Sequence, residues 1–225
     1  NNKSIILGVR NFNKKDVPFR SKFGNNMTSF FLKILYGAKI QDTQTGLRGF
    51  TNEIMEEYCK YIKSISNIPL DIHLMVEDIN TAIDDFASVE PNIITFHYEA
   101  CKNKEEVMEV IRKIKNNNCK VGISVKPETD IKEIYEFLPY VHMCLVMTVE
   151  PGKGGQTLLK DMVNKIAELK EYIQKNNLEV DIEADGGINL TTAEAVKKAG
   201  ADILVSGTAI LMAKDYKVII DDLRA

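Results

Sequence analysis

No stretch of this sequence approaches the ~20 consecutive apolar residues that a bilayer-spanning helix needs, so no reading begins from a membrane. No basic segment followed by an apolar run and a cleavage site marks a secretory leader either. The first residue is Asn1 rather than Met, and the expectation is a start that is processed or incomplete. Excess charge is missing too. The net charge is −3 at pH 7, which gives no reason to expect nucleic acid or an anionic surface as partner. The four cysteines, Cys59, Cys101, Cys119 and Cys144, form no C-x-x-C pair. They read as reduced thiols of a cytoplasmic protein, with neither a disulfide framework nor a zinc site. What is present is ordinary for a globular domain. The 225 residues are 44% apolar and 27% charged, and suit one α/β barrel or one domain plus a piece of another.

From about Pro69 onward the pattern is regular. Apolar strand-like runs are expected at 70–76, 92–98, 120–125, 143–149, 180–185 and 202–206. Helical patterns separate or follow them at 81–89, 104–117, 131–138, 158–176, 192–199 and 216–223. Alternation of this kind argues for a parallel sheet, and apolar strand centres argue that both of its faces are buried. Six βα units with chemistry-bearing loops after the strands point to a barrel of the TIM type. The first 66 residues are organised differently. They offer one strand (4–9), a basic loop (11–22), an amphipathic helix (23–36), a turn-rich segment (41–49) and a second helix (53–62), with no second strand. The basic loop, with Arg10, Lys14, Lys15, Arg20 and Lys22, reads as a solvated surface, and so do Asp42 and Arg48. The Lys-rich run 102–120 reads as the wet face of a helix.

Three strand ends carry the chemistry. PGKGGQ (151–156), EADGGI (183–188) and SGTAI (206–210) each open into a helical pattern. Glycine there lets backbone N–H groups approach an anion with no Cβ in the way, and a helix N-terminus adds favourable partial charge. Two glycines at a strand end weaken the strand and favour a functional turn. Asp185, at the head of one such turn, is a candidate for proton transfer. His73 lies between apolar neighbours with Met75 one pleat above. His97 in TFHYEA reads as structural or as a support to the site, and His142 as exposed.

Six segments, PLDIHLMVED, TFHYEA, GISVKPETD, VMTVEPGKGGQ, IEADGGIN and SGTAI, follow one another in an order that resembles the ribulose-phosphate 3-epimerases from residue 69 to the end. The resemblance implies an α/β fold, a TIM-type (β/α)8 barrel of the ribulose-phosphate-binding kind. Six of its eight βα units are recognisable over 67–225, behind a non-matching N-terminal segment. It implies an enzyme that interconverts D-ribulose 5-phosphate and D-xylulose 5-phosphate by moving the C3 proton through an enediolate. A divalent metal (Zn, Fe, Mn or Co) would assist by Lewis-acid polarisation. Carried over residue by residue, Asp185 is metal ligand and acid/base, and His73 is metal ligand and substrate contact. Met75 and Met147 line the enediolate site. Gly152, Lys153, Gly154, Gly155, Gly186, Gly187, Gly207 and Thr208 hold the phosphate. Lys153 stands where many relatives have an aromatic residue, so backbone rather than side chain is expected to bind there.

The family's first strand brings a serine and its second an H-x-D-x-M-D-G-type motif, and no such motif occurs in this sequence. Asp71 and Glu183 share a face with His73 and Asp185, two residues back on their strands. At ~3.3 Å per residue each sits too deep to replace the missing donors. A second segment pair, GVRNFNKKDVPFRSKFGN and DTQTGLRGF, resembles the later part of family 2 polyprenyl-phosphate glycosyltransferases. No acidic metal motif precedes Gly8, so glycosyl transfer is not expected. The expectation is therefore a pentose-phosphate epimerase. The alternative is an inactive chimeric or truncated remnant that keeps a phosphate-binding rim. A small phosphosugar is the expected partner, and open sheet edges invite association into a homo-oligomer.

Overall fold

The structure is a computed structural model that describes residues 5–7, 48–50, 52–76, 78–152 and 155–225. The chain divides into two compact units, Asn1–Cys59 and Lys60–Ala225. In the first, β1 (Ile5–Leu7) pairs antiparallel with β2 (Arg48–Phe50), Ile6 opposite Gly49. The expectation of no second strand in this region is thus corrected. Arg-Gly-Phe carries no apolar alternation by which a strand is recognised, and only its pairing makes it one. The helix expected at 23–36, the basic loop and most of the turn-rich segment lie outside the described residues. A helix, α1 (Asn52–Ile65), follows β2.

The second unit is a six-stranded, all-parallel sheet of β3 (Asp71–Leu74), β4 (Ile93–His97), β5 (Lys120–Val125), β6 (Met143–Met147), β7 (Asp181–Asp185) and β8 (Ile203–Val205), in sequence order. Successive parallel neighbours are what right-handed βα crossovers produce. The sheet curls into a half-barrel. Its helices α2 (Ile79–Ala87), α3 (Lys104–Asn116), α4 (Asp161–Lys175) and α5 (Ala193–Ala199) connect successive strands. A single turn, α6 (Thr208–Leu211), and α7 (Tyr216–Arg224) follow β8.

Alternation along the strands divides the side chains between two faces. Ile94 and Phe96 of β4, Val121, Ile123 and Val125 of β5, Cys144 and Val146 of β6, and Ile182 and Ala184 of β7 join one core cluster with buried residues of the helices. On α3, Val107, Val110, Ile111 and Ile114 fall at i, i+3, i+4 and i+7 and are all buried. Each such aliphatic side chain taken out of water stabilises the fold by ~1.5–3 kcal/mol before the entropy of ordering it is counted. Asn103 caps the helix by accepting from the Glu106 N–H at 2.9 Å, and Lys113 and Lys115 sit in its last turn, where positive charge is favoured. The lysines Lys102, Lys104, Lys115 and Lys120 are exposed as expected.

The opposite, concave face carries Asp71 and His73, Thr95 and His97, Gly122 and Ser124, Leu145 and Met147, Glu183 and Asp185. Thr95 takes the space a Cβ on Gly122 would need, 2.2 Å away at its Oγ1. Burial on both faces holds for β6, buried throughout, but not for β3 or β8. Those two pair on one side only within this sheet.

The helix expected over 131–138 is instead two 3₁₀ turns, Ile131–Ile134 and Leu138–Tyr140. Ile131, Ile134 and Phe137 recur every three residues and are all buried. That spacing suits three residues per turn rather than 3.6. Pro139 further disfavours the α conformation at Leu138.

Candidate active site

The loops leaving β6, β7 and β8 surround a cavity of about 770 Å³. Met75, Met147, Gly152, Gly155, Asp185, Gly186, Gly187, Gly207 and Thr208 all line it. Lys153 and Gly154 lie outside the described residues. Two of the glycines are fixed by geometry. Gly186 has φ +125°, and a Cβ there would meet Val149 Cγ2 at 2.4 Å. Gly187 has φ +66°, and its Cβ would fall 2.4 Å from the backbone nitrogen of Leu158. The Gly-Gly turn therefore exists so that the chain after β7 can press against the segments after β6. Thr148 closes the same corner, donating its hydroxyl to the Gly186 carbonyl at 2.5 Å. The Thr192 hydroxyl and the Asn189 amide both donate to the Gly187 carbonyl. Gly207 differs, because nothing lies within 4 Å of a Cβ built on it. Its open side is the cavity.

The curl of the sheet brings β3 and β7 together across the concave face. His73 Nδ1 lies 3.8 Å from Asp185 Oδ2. His73 is largely buried, and burial together with the neighbouring His97 lowers its pKa to about 4, so its ring is neutral at physiological pH. Burial raises the pKa of Asp185, against the opposing pull of His97. One pleat below, Glu183 is 3% exposed. Burial, with Asp71 and Asp185 adding repulsion, pushes its pKa up to about 8. Glu183 is thus largely a neutral carboxylic acid near pH 7, while Asp71, raised by burial only to about 6, keeps the negative charge of the floor.

His97 is buried, and its Nε2 is 2.9 Å from His73 Nε2. Its Nδ1 is 3.3 Å from Glu99 Oε2. Glu99 was not among the candidates from sequence. The signal available was the H-Y-E spacing in TFHYEA, which brings a carboxylate back toward the ring two residues earlier. Glu99 Oε1 also accepts from the Lys126 N–H at 2.7 Å and from the Thr129 hydroxyl. Burial opposes ionisation of Glu99, but these donors outweigh it and hold the pKa down at about 2. His142 is exposed at the far end of the sheet, where its Nδ1 accepts from the Val121 N–H at 3.1 Å.

A divalent ion needs several donors around one point. Two donors about 2.1 Å from a common ion can stand 3.8 Å apart, as His73 Nδ1 and Asp185 Oδ2 do. Among the described residues no group of three or more His, Cys, Asp or Glu surrounds such a point. The residues present therefore fit an ion as two members of a donor set.

A model described as the ribulose-phosphate 3 epimerase family matches residues 51–211. The chain belongs to the ribulose-phosphate 3-epimerase family. The ribulose-phosphate 3-epimerase of Escherichia coli K12 is 34% identical over 168 residues, 73% of each chain. That of Methanocaldococcus jannaschii is 39% identical over 165 residues, 73% of this chain and 68% of the relative. Among solved structures, a 3-hexulose-6-phosphate synthase superposes with a TM-score of 0.57 at 18% identity, covering 76% of this chain and 79% of that one. The Salmonella typhimurium enzyme of that name gives 0.57 at 15% identity, over 76% of this chain and 77% of its own. Identity that low speaks for the α/β barrel fold alone. Membership of the epimerase family makes the chain an isomerase by descent, and no described helix is long and apolar enough to cross a membrane.

Proposed function

We propose that this chain epimerises D-ribulose 5-phosphate to D-xylulose 5-phosphate in the cytoplasm, with Asp185 carrying the C3 proton on one face of the sugar. The observation that carries the reading is the position of Asp185, at the lip of the glycine-lined cavity and opposite His73. The phosphate would lie against the backbone of Gly152 to Gly155, Gly186, Gly187, Gly207 and Thr208. Where no Cβ stands, backbone N–H groups can approach the oxygens of a dianion directly. The sugar then extends toward Met75 and Met147, whose sulfurs offer an adaptable apolar wall. Ionised Asp185 takes the proton next to the carbonyl on its own face, solvent water delivers a proton to the opposite face of the enediolate, and in the reverse direction the Asp185 carboxyl group returns its proton. His73 stays neutral, and Glu183 stays largely protonated beneath Asp185.

A zinc, iron, manganese or cobalt ion, with His73 and Asp185 among its donors, would supply charge stabilisation at the carbonyl oxygen. The N-terminal segment 1–66 would be a glycosyltransferase-like piece joined to a barrel at 67–225, a division that rests on its sequence alone. The test is a coupled epimerase assay with each metal added, run on this chain and on Asp185→Asn. Turnover that the substitution abolishes supports the reading. Equal background in both favours the inactive remnant.

A further inference from the structure

The structure assigns Glu99 and His97 as positioning residues that hold His73 with a proton on Nε2 and a bare Nδ1 facing Asp185. The inference rests on the role proposed above for His73 and Asp185, and deepens it.

The direction of each hydrogen bond follows from the far end. Glu99 is an acceptor at both oxygens. Oε1 takes the Lys126 N–H and the Thr129 hydroxyl, and Oε2 faces His97 Nδ1. A carboxylate cannot donate, so His97 Nδ1 must carry the hydrogen. With that hydrogen as the single N–H of the ring, His97 Nε2 is an acceptor. The atom 2.9 Å away is His73 Nε2, and it must therefore donate. The ring planes are 23° apart with centroids separated by 4.9 Å. That is close to the end-to-end arrangement a ring-to-ring hydrogen bond requires. His73 Nδ1 is then left with its lone pair, 3.8 Å from Asp185 Oδ2. Two lone-pair atoms face one another across a gap that only a proton or a cation closes.

The anchor is rigid. Lys165 reaches from α4 to donate to the carbonyls of Lys126, Pro127 and Thr129 at 3.0, 2.7 and 2.7 Å. The corner that grips Glu99 is therefore tied from outside the sheet. Support of this kind behind a ligating histidine fixes its tautomer and ring orientation.

The experiment is a long-range ¹H–¹⁵N correlation spectrum of the metal-free full chain near pH 7.5. The sequence has only three histidines, so single His97 and His142 variants assign the rings. The expected pattern is Nδ1–H for His97 and Nε2–H for His73. In Glu99→Gln the amide oxygen can still serve Lys126 and Thr129 while the NH₂ turns to His97 Nδ1. Both rings should then switch tautomer, and Zn²⁺ affinity by chelator competition should fall roughly 10–100-fold. Thr129→Val keeps the carboxylate and should keep the wild-type tautomers, which separates the relay from general disturbance of the corner. An Nδ1–H tautomer for His73 in the wild type, or an unchanged His73 pattern in a folded Glu99→Gln, overturns the assignment. The spectra do not depend on turnover. Wild-type tautomers as expected in a chain without epimerase activity would sink the catalytic reading and leave the relay standing. Active enzyme with the wrong tautomer would do the reverse.

Discussion

The rim of the half-barrel has two sides that work by different means. From β6 to β8 it is built of backbone. Glycines stand where a Cβ would collide or intrude, and no charged side chain of the described residues is needed to shape the turn. From β3 to β4 it is built of side chains, a file of carboxylate and imidazoles in which each member fixes the next. The backbone side tolerates changes of charge and not of shape. The side-chain side tolerates small changes of shape and not of proton inventory.

Substitutions can break that contrast, and the largest effect is expected where the two sides meet. Asp185→Asn keeps the volume and removes the proposed proton carrier. It should lower kcat/KM by ~10²–10⁴ with the unfolding midpoint in urea nearly unchanged. Gly187→Ala tests the backbone side. Its methyl would press on the Leu158 nitrogen at 2.4 Å with φ at +66°, and the expected loss is about 3 kcal/mol in urea unfolding. Gly207→Ala, with open space around its Cβ, should leave stability within ~0.5 kcal/mol and raise KM instead. If both alanines behave alike, the division between packing and cavity glycines is wrong.

Lys165→Met should cost about 2 kcal/mol by stripping the donor from three carbonyls, read by thermal or urea unfolding. An effect of pH is expected as well. Folding lowers the Glu99 pKa from 4.5 to about 2. Its ionised form therefore stabilises the fold fully above pH 4.5, and that contribution disappears as the pH falls toward 2. Between pH 6 and pH 3 the wild type should lose on the order of 2 kcal/mol more than Glu99→Gln does, measured as the difference between two urea titrations.

The backbone side was legible in the sequence because its physics is local. EADGGI and SGTAI announce strand end, turn and helix within a few residues, and β5 was expected at the residues it occupies. The placement of His73 beside Asp185 was implied only by family resemblance, since it depends on how far the sheet curls. Glu99 went unnoticed although its spacing from His97 was visible. Its partners Lys126 and Thr129 lie 27 and 30 residues away in sequence, and Lys165 lies 36 to 39 residues beyond the carbonyls it caps. No periodicity encodes such distances. The 131–138 segment was misread for the opposite reason. Its apolar spacing of three is local, and lies close enough to a helical period that the residues alone do not separate the two. β2 was missed because pairing alone, not composition, makes it a strand.

The ammonium of Lys165 has one more consequence. It is rooted on the outer layer of the fold and clasps the corner from which the imidazole file hangs. Acetylating that amine would remove its charge and strip the donor from the three carbonyls it caps. The clasp thus joins the loop after β5 to a helix whose outer side faces solvent.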